Sequence, residues 1–94
     1  MTEHAGGCLC GAVRFAATGE LDPVVNCHCG MCRRFHGAFG SYTAAARDRF
    51  RFTEQRGLAW YASSPGVRRG FCRECGSSLF WEKDEYADRV EIVA

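Results

Sequence analysis

The chain has 94 residues, of which 47% are hydrophobic and twelve are aromatic, and its formal net charge at pH 7 is +1. This composition argues against disorder, and no apolar run approaches the roughly 20 residues of a membrane-spanning helix. A near-neutral charge also argues against nucleic-acid binding, which usually needs a strongly basic domain. We therefore expect one small globular domain over residues 1–94, with neither nucleic acid nor membrane as a partner.

A domain of this size needs reinforcement, because its core buries only about 60 to 65% of the surface exposed by the unfolded chain. Seven cysteines are available for this. The first residues lack a basic segment followed by an apolar one, so no signal peptide is indicated. We expect a cytoplasmic, reducing location, where thiolates bind metal more readily than they form disulfides, and an odd cysteine count fits complete disulfide pairing poorly.

Short strands separated by turns are predicted along the chain. In residues 11–18, Val13 and Phe15 alternate with Arg14, which indicates a half-buried strand, and turn residues follow at 19–23. Further extended segments are predicted at residues 24–26, 38–43, 51–53, 57–63, 67–71, 78–82 and 89–93, and one helical turn is predicted over residues 44–50. Five to eight short strands and little helix predict an all-β domain of antiparallel strands.

Four of the cysteines form two closely spaced pairs, one near each end of the chain. Cys72 and Cys75, followed by Gly76, have the spacing of a zinc knuckle, and Cys8 and Cys10 have one intervening residue fewer. Together they predict a structural four-cysteine zinc site that ties the first strand to the last third of the chain. The alternative is two metal-free buried thiol pairs.

The other three cysteines, Cys27, Cys29 and Cys32, lie within six residues. In an extended segment side chains two apart share a face, and a turn at residues 30–31 would bring the third thiol to the first two. Three protein ligands leave one coordination position of a zinc ion open, which is typical of a functional site. The alternatives are a closed site completed by a histidine and a redox pair of Cys29 and Cys32. The histidines considered as a fourth ligand are His4, His28 and His36.

His28 is expected to point away from the thiols, because it lies between two ligands of an extended segment. Three thiolates make zinc electron-rich and a poor Lewis acid, so its open position favours a soft ligand such as a substrate thiol. Arg33 and Arg34 follow the last thiol and are either partners for substrate carboxylates or solvated surface residues. The Arg68–Arg69 pair is a further candidate for a small anionic ligand.

Four segments resemble the glutathione-dependent formaldehyde-activating enzyme family, which includes the relatives of centromere protein V. They are GCLCGAVRF at residues 7–15, CHCGMCRR at 27–34, YASS at 61–64 and RGFCRECGSSL at 69–79. The resemblance implies the β-tent zinc fold that the family shares with methionine sulfoxide reductase B enzymes and some Rab-binding proteins. It also implies two zinc ions per chain, one structural and one at the active site. The implied ligands are Cys8, Cys10, Cys72 and Cys75 for the first ion, and Cys27, Cys29 and Cys32 for the second.

The activity that the resemblance implies is carbon–sulfur bond formation between formaldehyde and glutathione, giving S-hydroxymethylglutathione. His28, His36 and Tyr42 are candidates for a general base. The other function considered is a non-catalytic zinc module for protein interaction or dimerisation. Family members usually continue beyond residues 90–94 into further strands, so three explanations stay open: a naturally short product, a fragment, or a sheet edge completed by a second chain.

Overall fold

The computed structural model describes residues 2–94, which form nine strands, one α-helix and two 3-10 turns. The helix α1 spans Gly30–His36, and the 3-10 turns span Arg47–Arg49 and Asp84–Tyr86. In chain order the strands are β1 Glu3–Gly7, β2 Arg14–Thr18, β3 Val25–Cys27, β4 Gly40–Ala46, β5 Phe50–Glu54, β6 Leu58–Ser64, β7 Val67–Cys72, β8 Ser78–Lys83 and β9 Arg89–Val93. The predicted all-β class is confirmed. None of the helices in the described part of the chain is long and apolar enough to cross a membrane.

The strands form two antiparallel sheets. The smaller has the order β1-β2-β5, and the larger has the order β3-β4-β9-β8-β7-β6. Strand β9 pairs with β4 on one side and with β8 on the other. The last strand of the chain is therefore central, and the edges of the larger sheet are β3 and β6.

The aromatic core joins the two sheets around Phe80 of β8, which is 1% exposed. Its ring centroid lies 5.3 Å from that of Phe15, 5.7 Å from that of Phe50 and 5.6 Å from that of Phe52. These three residues belong to β2 and β5 of the smaller sheet. The strand predicted over residues 11–18 forms at Arg14–Thr18, with Phe15 facing the core and Arg14 exposed, but Ala16 and Ala17 are both buried and break the alternation.

Two local predictions differ from the structure. Residues 44–50 were expected to form a helical turn, but β4 continues to Ala46 and only Arg47–Arg49 is helical. Ala44 and Ala45 are each 3% exposed and pair with β9, so tertiary pairing outweighs the helix propensity of alanine. Strand β1 was not predicted, because its Gly- and His-containing sequence has little β propensity, yet it pairs with β2 over its whole length.

Candidate metal centres

The two outer cysteine pairs meet at one point, where the turn after β1 approaches the turn between β7 and β8. The side-chain sulfurs of Cys8, Cys10, Cys72 and Cys75 all lie within 4.8 Å of one another. The Cys8 and Cys10 Sγ atoms are 3.7 Å apart, and those of Cys10 and Cys72 are 3.8 Å apart. Four sulfurs at about 2.3 Å from a tetrahedral zinc ion lie about 3.8 Å from each other, so this cluster fits zinc.

The turns that carry these cysteines are shaped by glycine and by hydrogen bonds to sulfur. Gly76 has φ +82° and its N–H donates to the Cys72 carbonyl at 2.7 Å, closing the turn that carries Cys72 and Cys75. The backbone N–H of Val13 donates to Cys8 Sγ at 3.3 Å. A hydrogen bond with the Ser77 hydroxyl lowers the pKa of Cys75 to about 5. These contacts favour the metal-binding thiolate forms of Cys8 and Cys75.

The remaining three thiols come together at the junction of β3 and α1. The Sγ atoms of Cys27, Cys29 and Cys32 lie within 4.8 Å of one another. Cys27 ends β3, Cys29 caps the N-terminus of α1, and Cys32 lies in the first helical turn, 4% exposed. The predicted turn at residues 30–31 is wrong, because these residues begin a helix. The helix has the same effect on the thiols, since residues three apart on a helix are neighbours.

The helix start gives the thiols different acidities. Cys29 Sγ accepts a hydrogen bond from the Cys32 backbone N–H at 3.4 Å. This bond, together with the neighbouring thiols, lowers the pKa of Cys29 to about 7. Burial and the same thiols raise the pKa of Cys32 to about 11. Cys29 therefore ionises before Cys32.

The histidines do not join the three-thiol cluster in the described part of the chain. The ring of His4 forms a hydrogen bond with the Gly19 carbonyl at 3.0 Å. The ring of His28 is exposed and packs on Phe39 at a centroid distance of 5.0 Å. His36 forms a hydrogen bond with the Tyr42 hydroxyl. The cluster thus consists of three thiols, and a metal ion held there would have a position for a further ligand.

A cavity of about 400 Å³ opens beside these three thiols. Its wall combines apolar and charged side chains. The apolar ones include Pro23, Val25, Met31, Val67 and Trp81, and the charged ones are Asp22, Arg69, Arg89 and Glu91. Tyr42 contributes its ring and hydroxyl. Such a mixture is typical of a small-molecule site.

The cavity is lined by arginines other than the two that directly follow Cys32. Arg33 and Arg34 are exposed and do not contribute to its wall, whereas Arg69 and Arg89 do. From the sequence, Arg68 and Arg69 were candidates together for binding a small anionic ligand. The sequence did not indicate that only Arg69 of the two lines the cavity beside the thiols. Alternation along β7 would separate the two, because neighbouring strand residues point to opposite faces.

Comparisons with known proteins place these features in one family. The model of the glutathione-dependent formaldehyde-activating enzymes matches residues 3–94. An uncharacterized lyase of Schizosaccharomyces pombe is 32% identical over 82 residues, which cover 86% of this chain and 58% of that protein. The chain therefore spans less than two thirds of this curated relative.

A solved structure supports the fold independently. A crystal structure of a Rhodobacter sphaeroides protein superposes with a TM-score of 0.78 and 23% sequence identity, covering 96% of this chain and 84% of the other. At this identity the likeness concerns the fold. The family match over nearly the whole length is the stronger finding, and the chain belongs to the glutathione-dependent formaldehyde-activating enzyme family.

Proposed function

We propose that this protein is a carbon–sulfur lyase-type enzyme that forms or cleaves the adduct of a thiol, such as glutathione, with an aldehyde, such as formaldehyde. The observation that carries the proposal is the three-thiol cluster, which faces a cavity large enough for a small peptide. In this proposal Cys8, Cys10, Cys72 and Cys75 hold a structural zinc ion, and Cys27, Cys29 and Cys32 hold a second one.

The donor set supports a thiol as the ligand of the second site. When bound, a zinc ion with three thiolates supplies a soft, open coordination position that suits a further thiolate better than hydrolytic water. Cys29 lies at the N-terminus of α1 with a lowered pKa, so it contributes a thiolate near neutral pH. Cys32 anchors the cluster from its buried position.

The charged wall of the cavity supports a peptide thiol. Glutathione carries two carboxylates and one ammonium group besides its thiol. Arg89 lies 3.0 Å from Asp22 and 2.8 Å from Glu91, and its Nε atom is buried without a hydrogen-bond partner. A guanidinium flanked by two carboxylates offers partners for both signs of charge. These side chains are therefore assigned to binding the charged ends of the substrate.

The test of the proposal is substitution of Cys29 by serine. Turnover is measured by nuclear magnetic resonance as the rate of exchange between free glutathione and its formaldehyde adduct, with the uncatalysed rate subtracted. We expect the Cys29→Ser variant to lose about 100-fold or more, since even changes to residues around a metal ligand cost 10- to 100-fold. Circular dichroism and zinc content serve as controls for the fold and the four-cysteine site.

Two outcomes would contradict the enzyme assignment. Unchanged turnover in the Cys29→Ser variant would separate the three thiols from the chemistry. Wild-type protein that is stabilised by glutathione in a thermal melt, yet gives no turnover, would point to a non-catalytic thiol-binding module.

A further inference from the structure

Arg69 is the one buried charged residue in the described part of the chain, with 4% of its surface exposed. Its contacts are the Tyr42 hydroxyl at 3.2 Å, the Met31 sulfur at 3.9 Å and the Phe35 ring at 5.2 Å. None of the ion pairs among residues 2–94 includes it. A buried guanidinium without a carboxylate is costly, and its position in the cavity wall beside the three thiols makes Arg69 a candidate to bind an anionic group of a ligand.

Tyr42 lies beside this guanidinium with its hydroxyl between two nitrogen atoms. A guanidinium can only donate, so the Tyr42 oxygen accepts from Arg69 Nη1. His36 Nε2 contacts the same oxygen. If His36 carries its proton on Nε2, the oxygen accepts two hydrogen bonds and the hydroxyl hydrogen is left for a ligand. Burial raises the pKa of Tyr42 to about 12, so the hydroxyl keeps its proton at neutral pH.

The backbone of β4 leaves room for this arrangement. A Cβ atom on Gly40 would lie 2.6 Å from His36 Cδ2 and 2.8 Å from Tyr42 Cε2. These distances are too short for any side chain at that position unless the pair moves. Gly40 also pairs with Cys27, so the strand that carries a thiol and the strand that carries Tyr42 are neighbours. The hydrogen-bond donors and the three thiols consequently line one cavity.

We propose that Arg69 and Tyr42 form an oxyanion site that binds the aldehyde-derived oxygen of the thiol adduct, with His36 as the residue that positions the Tyr42 hydroxyl. This inference rests on the proposed function. The donors lie in the wall of the cavity that the thiol substrate would enter, where the carbonyl oxygen gains negative charge as the carbon–sulfur bond forms. Two fixed donors aimed at developing charge are the usual form of such stabilisation.

The step balances without a further reactant. The lone pair of the substrate thiolate forms the new carbon–sulfur bond, and the π-electron pair of the carbonyl moves to the oxygen. Arg69 and Tyr42 donate hydrogen bonds to this alkoxide, which then takes up from solvent the proton that the thiol released on ionising. In the reverse direction the hydroxyl loses its proton, the carbonyl forms again, and the carbon–sulfur bond breaks with its electrons returning to sulfur.

The test compares the Tyr42→Phe and Arg69→Met variants with Arg68→Gln as the matched control. Arg68 neighbours Arg69, but it is exposed and pairs with Glu82 outside the thiol site. We expect kcat for the exchange of glutathione with its formaldehyde adduct to fall about 100-fold in each of the first two variants and less than threefold in the control. The Kd for glutathione, measured by calorimetry, is expected to stay within threefold of the wild-type value in all variants. The zinc content per chain is expected to be unchanged.

The outcomes separate this inference from the proposed function. Retention of kcat within threefold in Tyr42→Phe and Arg69→Met, while Cys29→Ser is inactive, would overturn the oxyanion site and leave the function standing. Loss of glutathione affinity in parallel with kcat would also overturn it, because Arg69 would then bind a substrate carboxylate. Absence of turnover in the wild-type protein would contradict both the proposed function and the oxyanion site. If the Arg69→Met variant fails to fold or to bind zinc, the Tyr42→Phe variant alone tests the oxyanion site. This substitution removes a single hydroxyl and is expected to leave the fold intact.

Discussion

Adjacent residues of this chain occupy very different environments. Arg68 and Arg69 follow each other on β7, yet the first is exposed and bonded to the Glu82 carboxylate at 2.6 Å, while the second is buried beside the thiol cavity. Arg47 reaches the other oxygen of the same carboxylate at 2.6 Å. Arg68 therefore belongs to a surface ion-pair network, whereas Arg69 takes part in none of the ion pairs among residues 2–94.

Cys29 and Cys32 differ in the same way, and this leads to a prediction about reactivity. In protein treated with a mild chelator, iodoacetamide is expected to alkylate Cys29 well before Cys32 at pH 7, because the pKa values are about 7 and about 11. The thiolate is the reactive form, so the Cys29 rate should fall about tenfold per pH unit below its pKa. Peptide mass spectrometry after timed quenching measures both rates. Equal rates for the two thiols would contradict the role of the helix N-terminus.

At the scale of elements, each of the two cysteine clusters is held in place by a short segment of backbone. Gly57 follows β5, donates its N–H to the Ala12 carbonyl at 3.0 Å and accepts from the Arg73 N–H at 2.8 Å. It therefore connects the two turns that carry the four-cysteine cluster. Helix α1 plays the corresponding part for the three-cysteine cluster, since Cys29 caps its N-terminus and Cys32 lies in its first turn.

Substitution of Gly57 and of Gly30 by alanine should distinguish the tightly packed contact between the two turns from the start of helix α1. A Cβ atom on Gly57 would lie 2.7 Å from the Ala12 Cβ and 3.0 Å from Cys72 Sγ, whereas one on Gly30 would meet nothing within 4 Å. We expect Gly57→Ala to lower the free energy of unfolding by about 1 to 3 kcal/mol through overpacking. Gly30→Ala, in the first turn of α1, should raise it by about 0.5 kcal/mol.

Urea unfolding followed by circular dichroism measures both free energies, and zinc content shows whether the Gly57 change also disturbs the four-cysteine cluster. A Gly57→Ala variant as stable as the wild type would mean that the two turns adjust without strain. A Gly30→Ala variant with much lower stability would argue against a helix beginning at that residue.

At the scale of the whole molecule, the four-cysteine cluster joins parts of the chain 62 residues apart. We expect about two zinc ions per chain in the purified protein, measured by elemental analysis. Cys10→Ser and Cys29→Ser should each lose one. Only Cys10→Ser should lower the free energy of unfolding strongly, by about 4 kcal/mol, because metal binding at a site formed by distant residues is part of the folding free energy. Equal destabilisation by the two variants would contradict the division into a structural and a functional site.

Features of the site that depend on residues close together in the sequence were predicted, and features that depend on distant residues were not. The two cysteine groups were predicted from local spacing, since Cys72 and Cys75, like Cys27 and Cys29, have ligand spacing within a few residues. The helix at Gly30–His36 was missed, because seven residues beginning with glycine have no helical periodicity long enough to recognise. Its effect on the thiols was nevertheless anticipated, since a turn and a first helical turn both bring residues 29 and 32 together.

By itself, the sequence determined the class of the fold, the grouping of seven cysteines into four and three, and the family, because alternation, turn residues and ligand spacing are local properties. The tertiary structure alone decided which charged residues face the three thiols. Arg69 and Tyr42 are 27 residues apart in the chain, and they meet only because β4 and β7 are held in one sheet with β9 and β8 between them. Strand order is set by long-range packing of whole elements, which no short stretch of sequence specifies.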